Sequence, residues 1–211
     1  MPTGIFGTVD EPAATERPKP ARPVKPHNRD VRPREYLSEA EVDQLCKAAQ
    51  KRGRYGHRDA TMILVAYRHG LRVSELVALR CDQIDFALGH LQVRRLKGGI
   101  DSVHPLSGRE VRALRRLKRE SPADARFVFL IERGGPMTAN SFGRMLTRTA
   151  ESIDFPLKVH PHMLRHGVGF KLANAGHDTR AIQHYLGHKD IKHTVRYTEL
   201  APTRFNGFWK D

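Results

Sequence analysis

The sequence predicts a mainly α-helical domain carrying a small antiparallel β-sheet. Three observations predict it. From residue 36 onward, apolar residues recur at helical spacing through most of the chain. The two longer stretches that read as strands, Asp85 to Val93 and Val103 to Leu106, flank Gly98-Gly99, permissive residues suited to a hairpin turn. At 211 residues and 39% hydrophobic content the chain buries one good core, and no internal repeat is visible.

Taken in order, residues Met1 to Glu35 come first, with seven of the thirteen prolines, seven Lys or Arg and almost no large apolar side chains. That composition cannot pack a core, so a flexible basic tail is expected. The folded domain, 36–211, begins as Ser38 offers an N-cap with Glu41 three residues on, ahead of Val42, Leu45 and Cys46 at helical spacing. A second helix, roughly His57 to Arg68, is apolar nearly all round from Met62 to Ala66 and stops at Gly70, which marks it as the central core helix. A short helix through Ser74 to Leu79 precedes the hairpin. Further helices fit Arg109 to Arg119, Ala139 to Ser152, His162 to Ala175, Thr179 to Tyr185 and about Ile191 to Tyr197, with a brief strand at Phe127 to Ile131.

Neither an apolar run of 18 residues nor a leader-like N-terminus is present, so a soluble intracellular protein is expected, without a membrane partner. Cys46 and Cys81 lack the spacing of a zinc site or a disulfide framework and are expected to be small buried hydrophobes. Lys and Arg number 37 against 23 Asp and Glu, a formal charge of +14, and nine of the basic residues fall between Leu91 and Glu120 against three acids. Such clustering favours a surface facing phosphates, hence nucleic acid as partner, over scattered solubilising charge.

The chemistry concentrates in His160-Pro161-His162-Met163-Leu164-Arg165-His166. On a helix beginning near Pro161, residues 162, 165, 166 and 169 lie within about 100° of one another, opposite the core residues Met163, Leu164, Gly167, Val168 and Leu172. A guanidinium beside imidazoles, with small Gly169 leaving room, suits an oxyanion, because one clamps it bidentately and the other moves a proton near neutral pH. A solvated helix face is the alternative. A metal is not expected: three histidines are close in sequence, but no Asp or Glu lies between Phe155 and Gly176. Gly70-Leu71-Arg72-Val73-Ser74-Glu75-Leu76 sets an arginine at a turn opening a helix, with Glu75 placed to orient it, or merely to pair with it at the surface. Lys97 sits at the hairpin tip, where an ammonium either swings into a groove to protonate a leaving oxygen or stays solvated. Leu186-Gly187-His188, followed nine residues on by Tyr197, adds an imidazole and a phenol.

In this order the pieces resemble the tyrosine recombinase family, also called phage integrases, over about residues 37–211: Gly-Leu-Arg-x-Ser-Glu-Leu at 70 to 76, Lys97 in the hairpin, His162-x-x-Arg165, Leu-Gly-His at 186 to 188, and Tyr197. More narrowly, His160 to His166, Asp178-Thr-Arg, Tyr185-Leu-Gly-His, His193-Thr-Val and Arg204-Phe-Asn-Gly-Phe-Trp look like the short recombinases that invert fimbrial promoter segments. The resemblance implies the catalytic-domain fold of that family and a site-specific recombinase working through a 3′-phosphotyrosine. By it, Arg72 and Arg165 clamp the scissile phosphate, Lys97 protonates the departing 5′ oxygen, and Tyr197 attacks. His162 assists as acid or base, His188 contacts or supports the phosphate, and Glu75 and His166 support the set. No metal and no cofactor is implied, since the arginines stabilise the charge on the non-bridging oxygens.

The partners implied are double-stranded DNA, a homo-tetramer on paired sites and, because larger members carry an N-terminal DNA-binding domain where this chain has a Pro-rich tail, an accessory DNA-bending protein. A nucleoid-associated cytoplasmic location goes with them. Arg94, Arg95, Arg112, Arg115 and Arg116 are candidate DNA contacts, as is the basic tail from Arg17 to Arg34; solvated surface is the alternative for each. Phe205, Phe208 and Trp209 form an apolar stripe that docks in cis or on a neighbouring protomer. Two other functions stay open at this point: a catalytically silent DNA-binding regulator and a type IB topoisomerase-like enzyme, which shares the chemistry but not the partner sites.

Overall fold

A computed structural model describes residues 34–96 and 98–199. Lys97, the tail through residue 33, and the chain from residue 200, including Phe205, Phe208 and Trp209, lie outside the described residues. The elements are α1 (Glu39–Gln50), α2 (Gly56–Arg68), α3 (Val73–Val77), a 3-10 turn (Cys81–Gln83), β1 (Ile84–Asp85), β2 (His90–Val93), β3 (Ser102–Pro105), α4 (Gly108–Glu120), α5 (Ala139–Glu151), α6 (Pro161–Asn174), α7 (Thr179–Leu186) and α8 (Lys192–Glu199). A mainly helical domain with a small antiparallel sheet is what the sequence predicts.

Local chemistry explains the element starts. Ser38 and Glu41 close a reciprocal cap on α1: Ser38 N–H donates to Glu41 Oε2 at 2.7 Å, and Glu41 N–H donates back to Ser38 Oγ at 3.3 Å. Ser107 and Glu110 repeat the device on α4. Helix α2 is the centre, with every residue from Thr61 to Tyr67 buried, and it packs against α1, α4 and α6. A helix apolar on all sides is stable only when neighbours surround it.

The sheet runs β1-β2-β3, with Leu91 opposite Ile84 on one side and His104 on the other. Leu91 and Val93 point into the core while Gln92 and Arg94 point out, the alternation a half-buried strand requires.

Three expectations are corrected here. Asp85 to Val93 is two strands: Asp85 Oδ1 accepts from the Ala87 and Leu88 N–H groups, both at 2.9 Å, and Gly89 at φ +67° completes the turn between them. Phe127 to Ile131 makes only the isolated bridges Arg80↔Phe127 and Leu130↔Pro136, because the segments beside it are themselves turns. Cys46 is buried, but Cys81 is only half-buried. No helix among the described residues is long and apolar enough to cross a membrane.

Candidate active site

Two tight turns and one helix start build the site. Gly70, at φ +56°, ends α2 and turns the chain so that Arg72 flanks α3; a methyl group there would meet Leu186 at 2.5 Å. Gly187, at φ +65°, ends α7 and delivers His188. Pro161 opens α6 and presents His162, Arg165 and His166 along it.

Arg165 is 3% exposed. Its Nη1 donates to Gly70 O and its Nη2 to Leu186 O at 2.6 Å, so one guanidinium ties α6 to the turns after α2 and α7. Among the described residues it forms no ion pair. Burial, then the charges of Arg72 and Arg95, pull its pKa down to about 9. A buried cation held only by carbonyls is incompletely compensated, and an anion brought to it relieves that.

Arg72 lies beside it with its side chain 27% exposed. Glu75, buried, accepts the Arg72 N–H at 2.8 Å through Oε2 and Arg72 Nη1 at 2.8 Å through Oε1. Burial acts to raise the Glu75 pKa, but the hydrogen bond from Arg72 and the charge of Arg95 outweigh it and hold the carboxyl below its ordinary value. Arg72, Arg180, Gln183, His188, Lys189 and His193 help line a groove of about 660 Å³ open to solvent.

Tyr197, on α8, is 1% exposed. Its hydroxyl lies 2.7 Å from His166 Nδ1, its ring stacks 6.3 Å from His188, and Phe170 meets it edge-on at 5.1 Å. Burial raises the phenol pKa, opposed by Arg196 and Arg165. His188 Nδ1 sits 2.8 Å from the buried Thr194 Oγ1, which orients the ring. Burial, then Arg165 and Arg72, push His188 down to about 3; burial, then Arg196, do the same to His166. His162 is exposed at the mouth of the site and is lowered by burial and by Arg165.

Arg72, Glu75, His162, Arg165, His166, His188 and Tyr197 are thus brought together from three helices and two turns. Lys97 lies outside the described residues. Arg95 is the correction: proposed as a DNA contact, its side chain is instead wholly buried behind Arg72. Neighbouring Arg94 is exposed, as the strand alternation across Val93 requires. On α4, Arg112 is exposed, Arg115 donates to Phe86 O at 3.0 Å and Arg116 to Glu120 at 2.7 Å. A role for Thr194 escaped the sequence reading, although a hydroxyl three residues before a nucleophile candidate was its signal.

The model of the Phage integrase family matches residues 35–204. The type 1 fimbriae regulatory protein FimB of Escherichia coli K12 is 39% identical over 184 residues, covering 85% of this chain and 92% of that protein. Among solved structures, the XerA recombinase superposes with a TM-score of 0.69 at 29% identity over 81% of this chain. The Tn1549 transposon integrase in complex with transposon right end DNA superposes with a TM-score of 0.64 at 25% identity over 77%. This chain spans 60% of the length of either solved chain.

Proposed function

This chain belongs to the phage integrase family, the tyrosine-type site-specific recombinases, and we propose that it breaks and rejoins duplex DNA with Tyr197 as nucleophile. The observation that carries the reading is Arg165, a buried guanidinium without a carboxylate, set beside Arg72 at a groove and next to a buried phenol. A phosphodiester seated there supplies the anion that Arg165 lacks and that Arg72 shares only with Glu75. Arg72 and Arg165 hold the non-bridging oxygens, whose charge grows as the phenolic oxygen attacks phosphorus and the 5′ oxygen departs in line. The departing oxygen takes a proton from Lys97. His162, solvent-facing and lowered in pKa, serves as proton acceptor or donor at the mouth, and His166 holds the phenol ready. The phosphotyrosine link conserves the phosphodiester energy, so a 5′ hydroxyl from a partner strand reverses the step.

The finer reading is that paired sites are bound by four protomers with help from a DNA-bending protein, and that the outcome is inversion of a promoter-bearing segment. Similarity to a fimbriae regulatory protein over nearly its whole length supports the last point. A nucleoid-associated cytoplasmic location follows from that substrate.

A nicked duplex carrying a candidate site from beside the gene, incubated with chelator present and run on a denaturing gel, tests the proposal. The parent protein forms a covalent adduct and Tyr197→Phe binds without forming one. An adduct that persists in Tyr197→Phe refutes the assignment; binding with no adduct from the parent favours the silent regulator.

A further inference from the structure

Behind Arg72 and Arg165 lies a third guanidinium that touches no solvent. Arg95 has 0% of its side chain exposed. Its Nη1 donates to Glu75 Oε2 at 2.9 Å and to Gly70 O at 3.5 Å; its Nη2 donates to Tyr185 O at 2.5 Å and to His69 O at 3.4 Å. Gly70 O also accepts from Arg165, and Glu75 also binds Arg72. One continuous chain of contacts therefore runs from Arg165 through Gly70, Arg95 and Glu75 to Arg72.

Packing alone is a poor reason for this arrangement. Burying a charge costs several kcal/mol, and an aliphatic side chain would fill the space at less cost. The fold also clears room for this side chain: a Cβ on Gly187 would lie 2.5 Å from Arg95 Nε, 2.7 Å from its Cγ and 2.8 Å from its Cδ. The charges give a better reason. Glu75 alone with Arg72 makes a neutral pair, which weakens Arg72 as an anion ligand. With Arg95 on the other carboxylate oxygen, Arg72, Arg95 and Arg165 stand against a single Glu75, and the surplus is positive.

We infer that Arg95 is a positioning residue for strand cleavage: a buried counter-ion that lets Glu75 fix Arg72 in place without cancelling the charge Arg72 presents to the phosphodiester. The inference rests on the recombinase reading above. It accounts for a basic residue that a surface role does not explain.

The test measures single-turnover adduct formation at saturating protein, with DNA affinity by fluorescence anisotropy and folding by circular dichroism. Parent, Arg95→Met, Arg95→Lys, Glu75→Gln and the Arg95→Met/Glu75→Gln double variant are compared. Arg95→Met slows cleavage by about 10- to 100-fold, in the range of losing one charge-stabilising group, while affinity moves less than about twofold. Arg95→Lys, which keeps the charge, stays within about fivefold of the parent. In the Glu75→Gln background the same Met substitution costs less than about threefold, because no carboxylate is left to balance. The inference is overturned if Arg95→Met cleaves at the parent rate, if folded Arg95→Lys falls as far as Arg95→Met, or if the Met cost is equal in both backgrounds. Should Arg95→Met not fold, Arg95→Gln takes its place in the cycle. A parent protein that forms no adduct refutes the recombinase reading instead, before any variant is compared.

Discussion

Replacing Gly169 by alanine should separate catalysis from stability. A methyl group at this position would lie 2.8 Å from Cε2 and Cζ of Tyr197 and 2.9 Å from Cδ2. Carbon atoms settle at about 3.5–4.0 Å, so the ring has to retreat by at least ~0.7 Å, away from α6. A displacement near 1 Å at a reacting group costs roughly 10²-fold in rate. Stability changes far less: alanine improves a helix interior by about 1 kcal/mol over glycine, and the overlap costs about 1–3 kcal/mol, leaving a net loss under about 2 kcal/mol. Single-turnover adduct formation and urea denaturation report the two quantities separately. The matched control is Gly143→Ala on α5, whose methyl would meet only Pro161 Cγ at 3.9 Å; it should gain about 0.5–1 kcal/mol. A Gly169→Ala protein that cleaves at the parent rate refutes the view that Tyr197 acts from its seat against α6.

Thermal melts should lose stability steadily as pH falls below 6.5. Burial foremost, aided by His69 for one and Arg165 for the other, pushes His104 and His188 down to about 3. Their folded values lie below the ordinary 6.5, so the unfolded chain takes up protons the folded one refuses, and stability present above pH 6.5 drains away toward pH 3 by up to roughly 1.4 kcal/mol per pH unit for each ring. A melting temperature flat between pH 7 and 5 would contradict this. Gly187→Ala should cost more than Gly98→Ala in urea denaturation: both hold positive φ, a penalty of about 1–2 kcal/mol, but only at Gly187 does the methyl also strike Arg95. Equal losses would show that the Arg95 side chain yields freely.

The helices and most of the site were legible because they rest on local signals. Ser38 with Glu41, the apolar run Met62 to Ala66, and the spacing of His162, Arg165 and His166 each speak through residues a few positions apart. Arg95 was misplaced for the opposite reason. Its neighbours Glu75, Gly70 and Tyr185 are 20, 25 and 90 residues away, and a basic residue next to a hairpin looks like any surface cation until those partners converge. The same holds for strand Asp85 to Val93, whose apolar alternation concealed an Asp85 turn that competes with the ladder. His166 was recognised as a helper, but its contact with the phenol required knowing how α8 folds back onto α6.

Arg165 bonds Gly70, 95 residues earlier, and Leu186, 21 residues later, and Tyr197 comes later still in the chain. Synthesis runs from the N-terminus, and domains fold as their parts emerge. A ribosome-bound chain displays Arg72 and the hairpin before the strap at Leu186 and the Tyr197 phenol have been made. The arginines of a partly made chain therefore have neither the strap that seats Arg165 nor the phenol proposed to attack beside them.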